Sequence, residues 1–270
     1  TMKYFYQFYD CEDCEDIINY SLGFNGYIDV LKGLETNILK NKICKGNLSK
    51  QKNIKCSMKK FYHPLVKKNI VTNDINIKKS KIITGPNAAG KTTLLKASTI
   101  NILLTQQIGY GFYKKATITP FDYIHCYLNI PDTSGRDSLF QAEARRCKNI
   151  LDTISENNEK KHFCIFDELY SGTNPFEAIS SAHSYLNYIS KNKNVKFLLT
   201  THFIRLCNLV KKNKKIENIH LKTHMKDEVP DYTYKISKGI SEIKGGISIL
   251  KELNYPSEII NNTKKILEKI

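Results

Sequence analysis

Residues 81–92 read Lys81-Ile-Ile-Thr84-Gly85-Pro86-Asn87-Ala88-Ala89-Gly90-Lys91-Thr92. The last eight follow the spacing G-x-x-x-x-G-K-[ST]. The apolar run before them predicts a strand over 81–84, and the pattern after them a helix over 91–107. Strand, glycine loop and helix in that order form a cradle for phosphate. Gly85 and Gly90 let the backbone turn so that successive N–H groups point inward, and the helix presents its positive end. In such a cradle Gly85, Pro86, Asn87, Ala88, Ala89, Gly90 and Thr93 surround the phosphates. Lys91 reaches the β- and γ-phosphates, and the Thr92 hydroxyl binds Mg²⁺. The expected ligands are therefore ATP and Mg²⁺. A chance match in a glycine-containing turn lacks this flanking context.

Downstream, Phe163-Cys-Ile-Phe166 is an apolar strand that delivers Asp167 and Glu168 at its C-terminal end. Open α/β sheets bind their ligands at that end. Asp167 is placed to hold Mg²⁺, and Glu168 to polarise an attacking water. An acidic pair after a strand is common by itself; after a phosphate loop it is specific, and tandem Asp-Glu points to the ABC type of ATPase. Ser171-Gly-Thr-Asn174 then reads as a turn at a dimer seam. Thr200-Thr-His202 ends the next strand, over 197–200, where an imidazole can donate to a γ-phosphate. Helices are expected over 141–157, 176–190, 247–253 and 256–270, and further strands over 218–221 and 232–236. Alternating strands and helices give the fold class: α/β, a P-loop ABC-type ATPase with a mostly parallel central sheet flanked by helices. A short helical lead-in and a helical C-terminal end complete it.

Upstream the chain changes character. Aromatic Tyr4, Phe5, Tyr6, Phe8 and Tyr9 precede a run of acids from Asp10 to Asp16. Apolar residues then recur at helical spacing over 17–39, a pattern expected to be broken by Gly23, Gly26 and Gly33. Residues 32–81 carry 14 Lys against Glu35 and Asp74, which predicts a basic, partly stranded segment. The whole chain has a formal charge of +16, a balance that suits polyanionic partners, nucleic acid before anionic membrane. Yet Arg occurs only at 136, 145, 146 and 205, and Lys dominance with abundant Ile and Asn equally fits the codon bias of an AT-rich genome. Arg145 and Arg146 read as a solvated helix face. No apolar run reaches the ~18 residues that cross a bilayer, and nothing resembles a signal peptide. An intracellular location, nuclear or cytoplasmic, is expected. Cys11 and Cys14 have metal-ligand spacing, with Cys44 and Cys56 able to complete a zinc site, but the second pair lacks the usual short spacing. The eight cysteines read as plain thiols. Thr1 ahead of Met2 suits a piece of something longer.

Thr84-Gly-Pro-Asn-Ala-Ala-Gly-Lys-Thr92, Phe166-Asp-Glu-Leu-Tyr-Ser-Gly-Thr173 and Thr200-Thr-His-Phe203 together resemble the ATPase domain of the MutS mismatch-repair family. His63-Pro64 with Thr72-Asn73-Asp74, Tyr27–Leu31, and the segment from Tyr234 to Ile260 extend the resemblance to nearly the whole chain. About 76 residues separate Lys91 from Asp167, too few for the helical subdomain of an ABC transporter. The resemblance implies three regions: 1–60, a lead-in from a lever; 61–238, the ATPase domain; and 239–270, dimer-supporting helices. It implies Glu168 and His202 as catalytic, Ile70 and Asn73 at the nucleotide, and Thr92 and Asp167 on Mg²⁺. Ser134-Gly-Arg-Asp-Ser138 occupies the place of the signature segment, so Ser138 acts in trans on the partner's nucleotide. The implied partners are a second MutS-like subunit and DNA held by domains outside this chain, with no membrane. The sequence departs from the family's usual spacing between Gly135 and Phe140 and from its wording at 142–146. Ile70 also stands where many relatives carry an aromatic, so base stacking is weaker or supplied elsewhere. The alternative is an ATP-gated dimerisation module of another DNA-maintenance ATPase, SMC-like, without mismatch recognition; such a protein has long heptad arms between its nucleotide motifs.

Overall fold

A computed structural model of the chain describes residues 3, 4, 6, 11–128, 138–226, 229–241, 243 and 245–267. The chain divides into two compact units, Thr1–Cys44 and Lys45–Ile270. The first contains helix α1 (Glu12–Leu39). Gly23, Gly26 and Gly33 do not break it, contrary to the sequence expectation. Each isolated glycine costs only ~1 kcal/mol against alanine, and the amides of Asn25 and Asn37 bond to the carbonyls of Ser21 and Gly33 one turn back.

The second unit holds the strands β1 (Asn47–Leu48), β2 (Cys56–Phe61), β3 (Asn73–Asn76), β4 (Ser80–Thr84), β5 (Lys115–Ile118), β6 (Tyr123–Tyr127), β7 (His162–Asp167), β8 (Val195–Thr201), β9 (Ile216–Lys226) and β10 (Val229–Lys238). Its helices are α2 (Lys91–Ile108), α3 (Leu139–Glu156), α4 (Pro175–Ile189), α5 (Ile204–Val210), α6 (Gly246–Glu252) and α7 (Ser257–Leu267). Six strands make the main sheet in the order β10-β9-β4-β8-β7-β6. All neighbours pair in parallel except β9 and β10, which form an antiparallel hairpin. A second sheet, in the order β1-β5-β2-β3, joins the Lys-rich segment to the strand after α2.

The centre of the main sheet is covered on both faces. All of β4 is buried, as is β7 up to Phe166. Phe163, Phe166 and Phe197 are fully buried, each burial contributing roughly 1.5–3 kcal/mol. The buried stripe Glu143, Cys147, Ile150 and Ile154 of α3 recurs at helical spacing. Its three apolar members join Ala182 and Leu186 of α4 against the sheet. The one lysine inside β4, Lys81, is paired with Glu217 of β9, as a buried cation requires. Inside α2, the hydroxyls of Ser98 and Thr99 donate to carbonyls four residues back. Asn101 donates to the carbonyl of Tyr62 and accepts from the N–H of Phe112.

Three registers place the functional edge. Thr201 lies opposite Thr84, Thr200 opposite Asp167, and His220 opposite Thr84. The C-terminal ends of β4, β7 and β8 therefore finish side by side.

Candidate nucleotide site

The loop between β4 and α2 has the backbone that its glycines foretell. Gly90 sits at φ 88°, with Ala88 also left-handed at 64°. A Cβ on Gly85 would lie 3.3 Å from Ala89 Cβ, inside the space the loop encloses. Gly90 caps α2 without a side-chain bond, and the first turn carries no acid. The amide ends of the helix are thus left to whatever the loop encloses. Lys91 is 6% exposed and folds back, its Nζ donating to the carbonyls of Gly85 (2.9 Å) and Pro86 (3.1 Å). Burial pulls its pKa down, while the charges of Glu168 and Asp167 oppose that.

Opposite the loop, the Thr92 hydroxyl lies 3.1 and 3.0 Å from the two carboxylate oxygens of Asp167. Asp167 is held from the other side by the Thr200 hydroxyl. One hydroxyl and one carboxylate meeting at a point form a hard-oxygen donor set of the kind that Mg²⁺ takes together with phosphate. The residues fit that ion.

Glu168 follows with φ 54°, and its N–H donates to the carbonyl of Thr200 (3.1 Å). Its Oε1 lies 3.5 Å from His202 Nδ1. The hydrogen bond from His202 is the largest influence holding its carboxyl below the usual range; the charges of His202 and Lys91 add to it, against burial. Glu168 and His202 also face the loop residues Thr84 to Asn87 across a cavity closed by Ser241 and Gly245. Gly245 is required there, since a Cβ would come within 2.9 Å of Pro86 Cβ.

A cavity of about 460 Å³ opens on the other flank of the loop, lined by Ala88, Gly90, Thr93, Ile70, Asn73 and Tyr234 among others. Ile70 is half-exposed on its wall. Asn73 reaches the cavity, but its amide is committed to β10: it donates to Tyr234 O (2.9 Å) and accepts from Ile236 N (2.8 Å). It therefore fixes the position of Tyr234. That tyrosine comes so near that a Cβ on Gly90 would lie 3.1 Å from its Cδ1. Among the described residues it is, with Phe61 and Tyr62, one of three Phe or Tyr residues lining this cavity, and the one at the loop that sequence reasoning missed. Its only signal was the absence of an aromatic at position 70.

Ser138 caps α3: its Oγ accepts from Gln141 N, and the Gln141 side chain accepts from Ser138 N in return. Ser134 to Asp137 lie outside the described residues. From α3, Leu139 and Glu143 share a third cavity with Thr92, Asp167, Glu168 and Ser171. The structure thus gathers residues 85–93, Asp167, Glu168 and His202 at one edge. Ile70 and Asn73 lie on one flank, and the helix that Ser138 begins on another.

The family model for MutS domain V matches residues 81–270, which hold all of these groups except Ile70 and Asn73. The chain belongs to the MutS family. Among its relatives, a DNA mismatch repair protein MutS of Clostridium botulinum is 31% identical over 255 residues, 90% of this chain and 27% of that protein. The Clostridium perfringens protein of the same name is 33% identical over 220 residues, 77% of this chain and 24% of its own length. That of Persephonella marina is 29% identical over 217 residues, 78% and 24%. This MutS-family chain therefore spans about a quarter of these relatives. Among its described residues no helix is long and apolar enough to cross a membrane.

Proposed function

We propose that this domain binds ATP with Mg²⁺, hydrolyses it at composite sites of a MutS-type dimer, and so controls a clamp held on DNA in mismatch repair or related DNA maintenance. The observation that carries this reading is the meeting of Thr92 with Asp167 beside the Glu168–His202 pair, at the mouth of a glycine loop. Residues 85 and 87–93 hold the phosphates through backbone N–H groups, and Lys91 swings from its two carbonyls to the terminal phosphates. Thr92 and Asp167 hold Mg²⁺, which when bound neutralises phosphate charge. Glu168, kept ionised by His202, orients the attacking water, and His202 donates toward the γ-phosphate. Tyr234 and Ile70 enclose the base.

Ser138 is assigned to the partner's nucleotide, presented at the tip of α3 with that helix's amide end. The C-terminal helices support the dimer. No residue of α7 is buried, and it exposes Ile259 and Ile266. DNA is gripped by regions outside these 270 residues.

The test is Mg²⁺-dependent phosphate release from ATP by the purified chain and by Lys91→Ala. Turnover by the wild type, with loss of triphosphate binding in the variant, is expected. A wild-type chain that binds no ATP by calorimetry would overturn the reading.

A further inference from the structure

Glu143 is 2% exposed, yet it carries a carboxylate. Burying that group costs several kcal/mol unless hydrogen bonds replace its water. Three do. Oε1 accepts from the N–H and the hydroxyl of Ser171 (3.0 and 2.9 Å), and Oε2 accepts from the N–H of Gly172 (3.0 Å). All three donors belong to two consecutive residues of the loop that follows Glu168.

That loop needs holding. Glu168 and Tyr170 are both non-glycine residues at left-handed φ, 54° and 60°, a conformation that costs about 1–3 kcal/mol per residue unless its surroundings fix it. On one side Glu168 N is bonded to Thr200 O. On the other, the Tyr127 hydroxyl accepts from Tyr170 N (3.2 Å), and the Phe140 ring lies 5.8 Å from that of Tyr170. Gly172 then runs so close to the start of α3 that a Cβ would stand 2.8 Å from Phe140 N. The loop is seated directly on the first turn of α3, with Glu143 as its clasp.

We infer that Glu143 is a positioning residue for hydrolysis: it fastens the loop that sets Glu168 to the helix that Ser138 begins. The inference rests on the roles given above to Glu168 and Ser138. Five helical steps, about 7.5 Å, separate Ser138 from Glu143, so a displacement of the helix tip is passed through the carboxylate to the loop. An apolar side chain of equal size fills the same space but leaves the N–H groups of Ser171 and Gly172 without their acceptor.

The test uses the whole 270-residue chain. Glu143→Gln keeps the shape but replaces one accepting oxygen with an amide that cannot accept. The expected result is a fall in kcat of ~10-fold, part of the 10²–10⁴ that a positioned base supplies. ATP affinity and binding stoichiometry by calorimetry should stay unchanged. In a Glu168→Gln background the same change should have little further effect, because it acts through Glu168. A merely structural role lowers the binding stoichiometry and adds to the Glu168→Gln defect. Wild-type kcat in the Glu143→Gln variant, a parallel loss of ATP affinity, or full additivity overturns the inference. Should Glu143→Gln not fold, Ser171→Ala removes only the hydroxyl donor; a kcat lowered ~3-fold at unchanged affinity is expected, and an unchanged kcat overturns the inference. A wild-type chain that does not hydrolyse ATP defeats the proposed function and this inference with it. Normal wild-type turnover with an indifferent Glu143→Gln defeats this inference alone.

Discussion

The Thr92 hydroxyl stands 3.0 Å from Asp167 Oδ2 across 75 residues of sequence. The meeting depends on β4 and β7 flanking β8 in register, with Thr200 of β8 bonded to Asp167. Thr200, itself fully buried, therefore orients the carboxylate. Thr200→Val should raise the Mg²⁺ concentration needed for half-maximal hydrolysis by on the order of 10–100-fold, and Asp167→Asn should abolish the Mg²⁺ response. A Mg²⁺ titration of phosphate release reads both. An unmoved midpoint for Thr200→Val would show that Asp167 needs no such support.

Glu168→Gln removes the group proposed to orient water and leaves the residues proposed to hold phosphate unchanged. Hydrolysis should slow by a factor of ~10² or more, while ATP remains bound. Single-turnover kinetics beside a calorimetric titration separate the two. Wild-type turnover in this variant would exclude Glu168 as the base.

His202 leads to a pH prediction of definite sign. Its hydrogen bond is the main influence lowering the Glu168 pKa, and burial pushes the other way. Removing the imidazole in His202→Ala leaves burial less opposed, so the carboxyl protonates at higher pH. A base works only when deprotonated, and the acid limb of the kcat profile should move to higher pH. The same depression gives stability that is present above the unfolded Glu pKa and lost as pH falls through the folded one. That stability is small, because the Glu168 side chain is 37% exposed and screened by water. An acid limb that stays in place would separate His202 from Glu168.

Much of this was written in the sequence. The run Phe163–Phe166 in β7 is continuously apolar because both faces of that strand are covered, and such a run is conspicuous; in β4 only Ile82 and Ile83 are apolar. Gly85 and Gly90 mark their loop by spacing, and the acids at 167 and 168 by following a buried strand. The sequence hid what depends on tertiary return. Tyr123–Tyr127 lies at a sheet edge and mixes His and Cys with apolar residues, so no alternation identifies it as a strand, and Lys115–Ile118 alternates over only four residues. The hairpin of β9 and β10 outruns its apolar centre on both strands, because the ladder bonds continue where side chains turn polar. Glu143 looks like any surface acid on a helix until the loop after Glu168 is seen folded onto it.

Tyr234 tests the base pocket. Base–aromatic stacking is worth about 1–3 kcal/mol, so Tyr234→Ala should weaken ATP binding by roughly 5- to 150-fold. Tripolyphosphate, which has no base, should bind the variant and the wild type alike. Equal losses for both ligands would mean that Tyr234 supports the phosphate loop through Gly90 and not the base.

The Lys-rich segment carries the last prediction. On the small sheet Lys59 of β2 lies opposite Lys115 of β5, and Lys59 is 65% exposed, its ion pair with Asp74 open to water. Such lysines neutralise phosphates without reading bases, and counterion release makes their binding fall steeply with salt. They form no bidentate fork of the kind that arginine offers to guanine. The isolated chain should therefore bind duplex DNA weakly and without sequence preference, with a Kd on the order of 10⁻⁴–10⁻⁶ M at physiological salt. Fluorescence anisotropy on a matched and a mismatched duplex, repeated across salt concentrations, decides the matter. A clear preference for the mismatch would mean that this chain reads DNA itself, and the division between an ATPase here and DNA recognition elsewhere would fall.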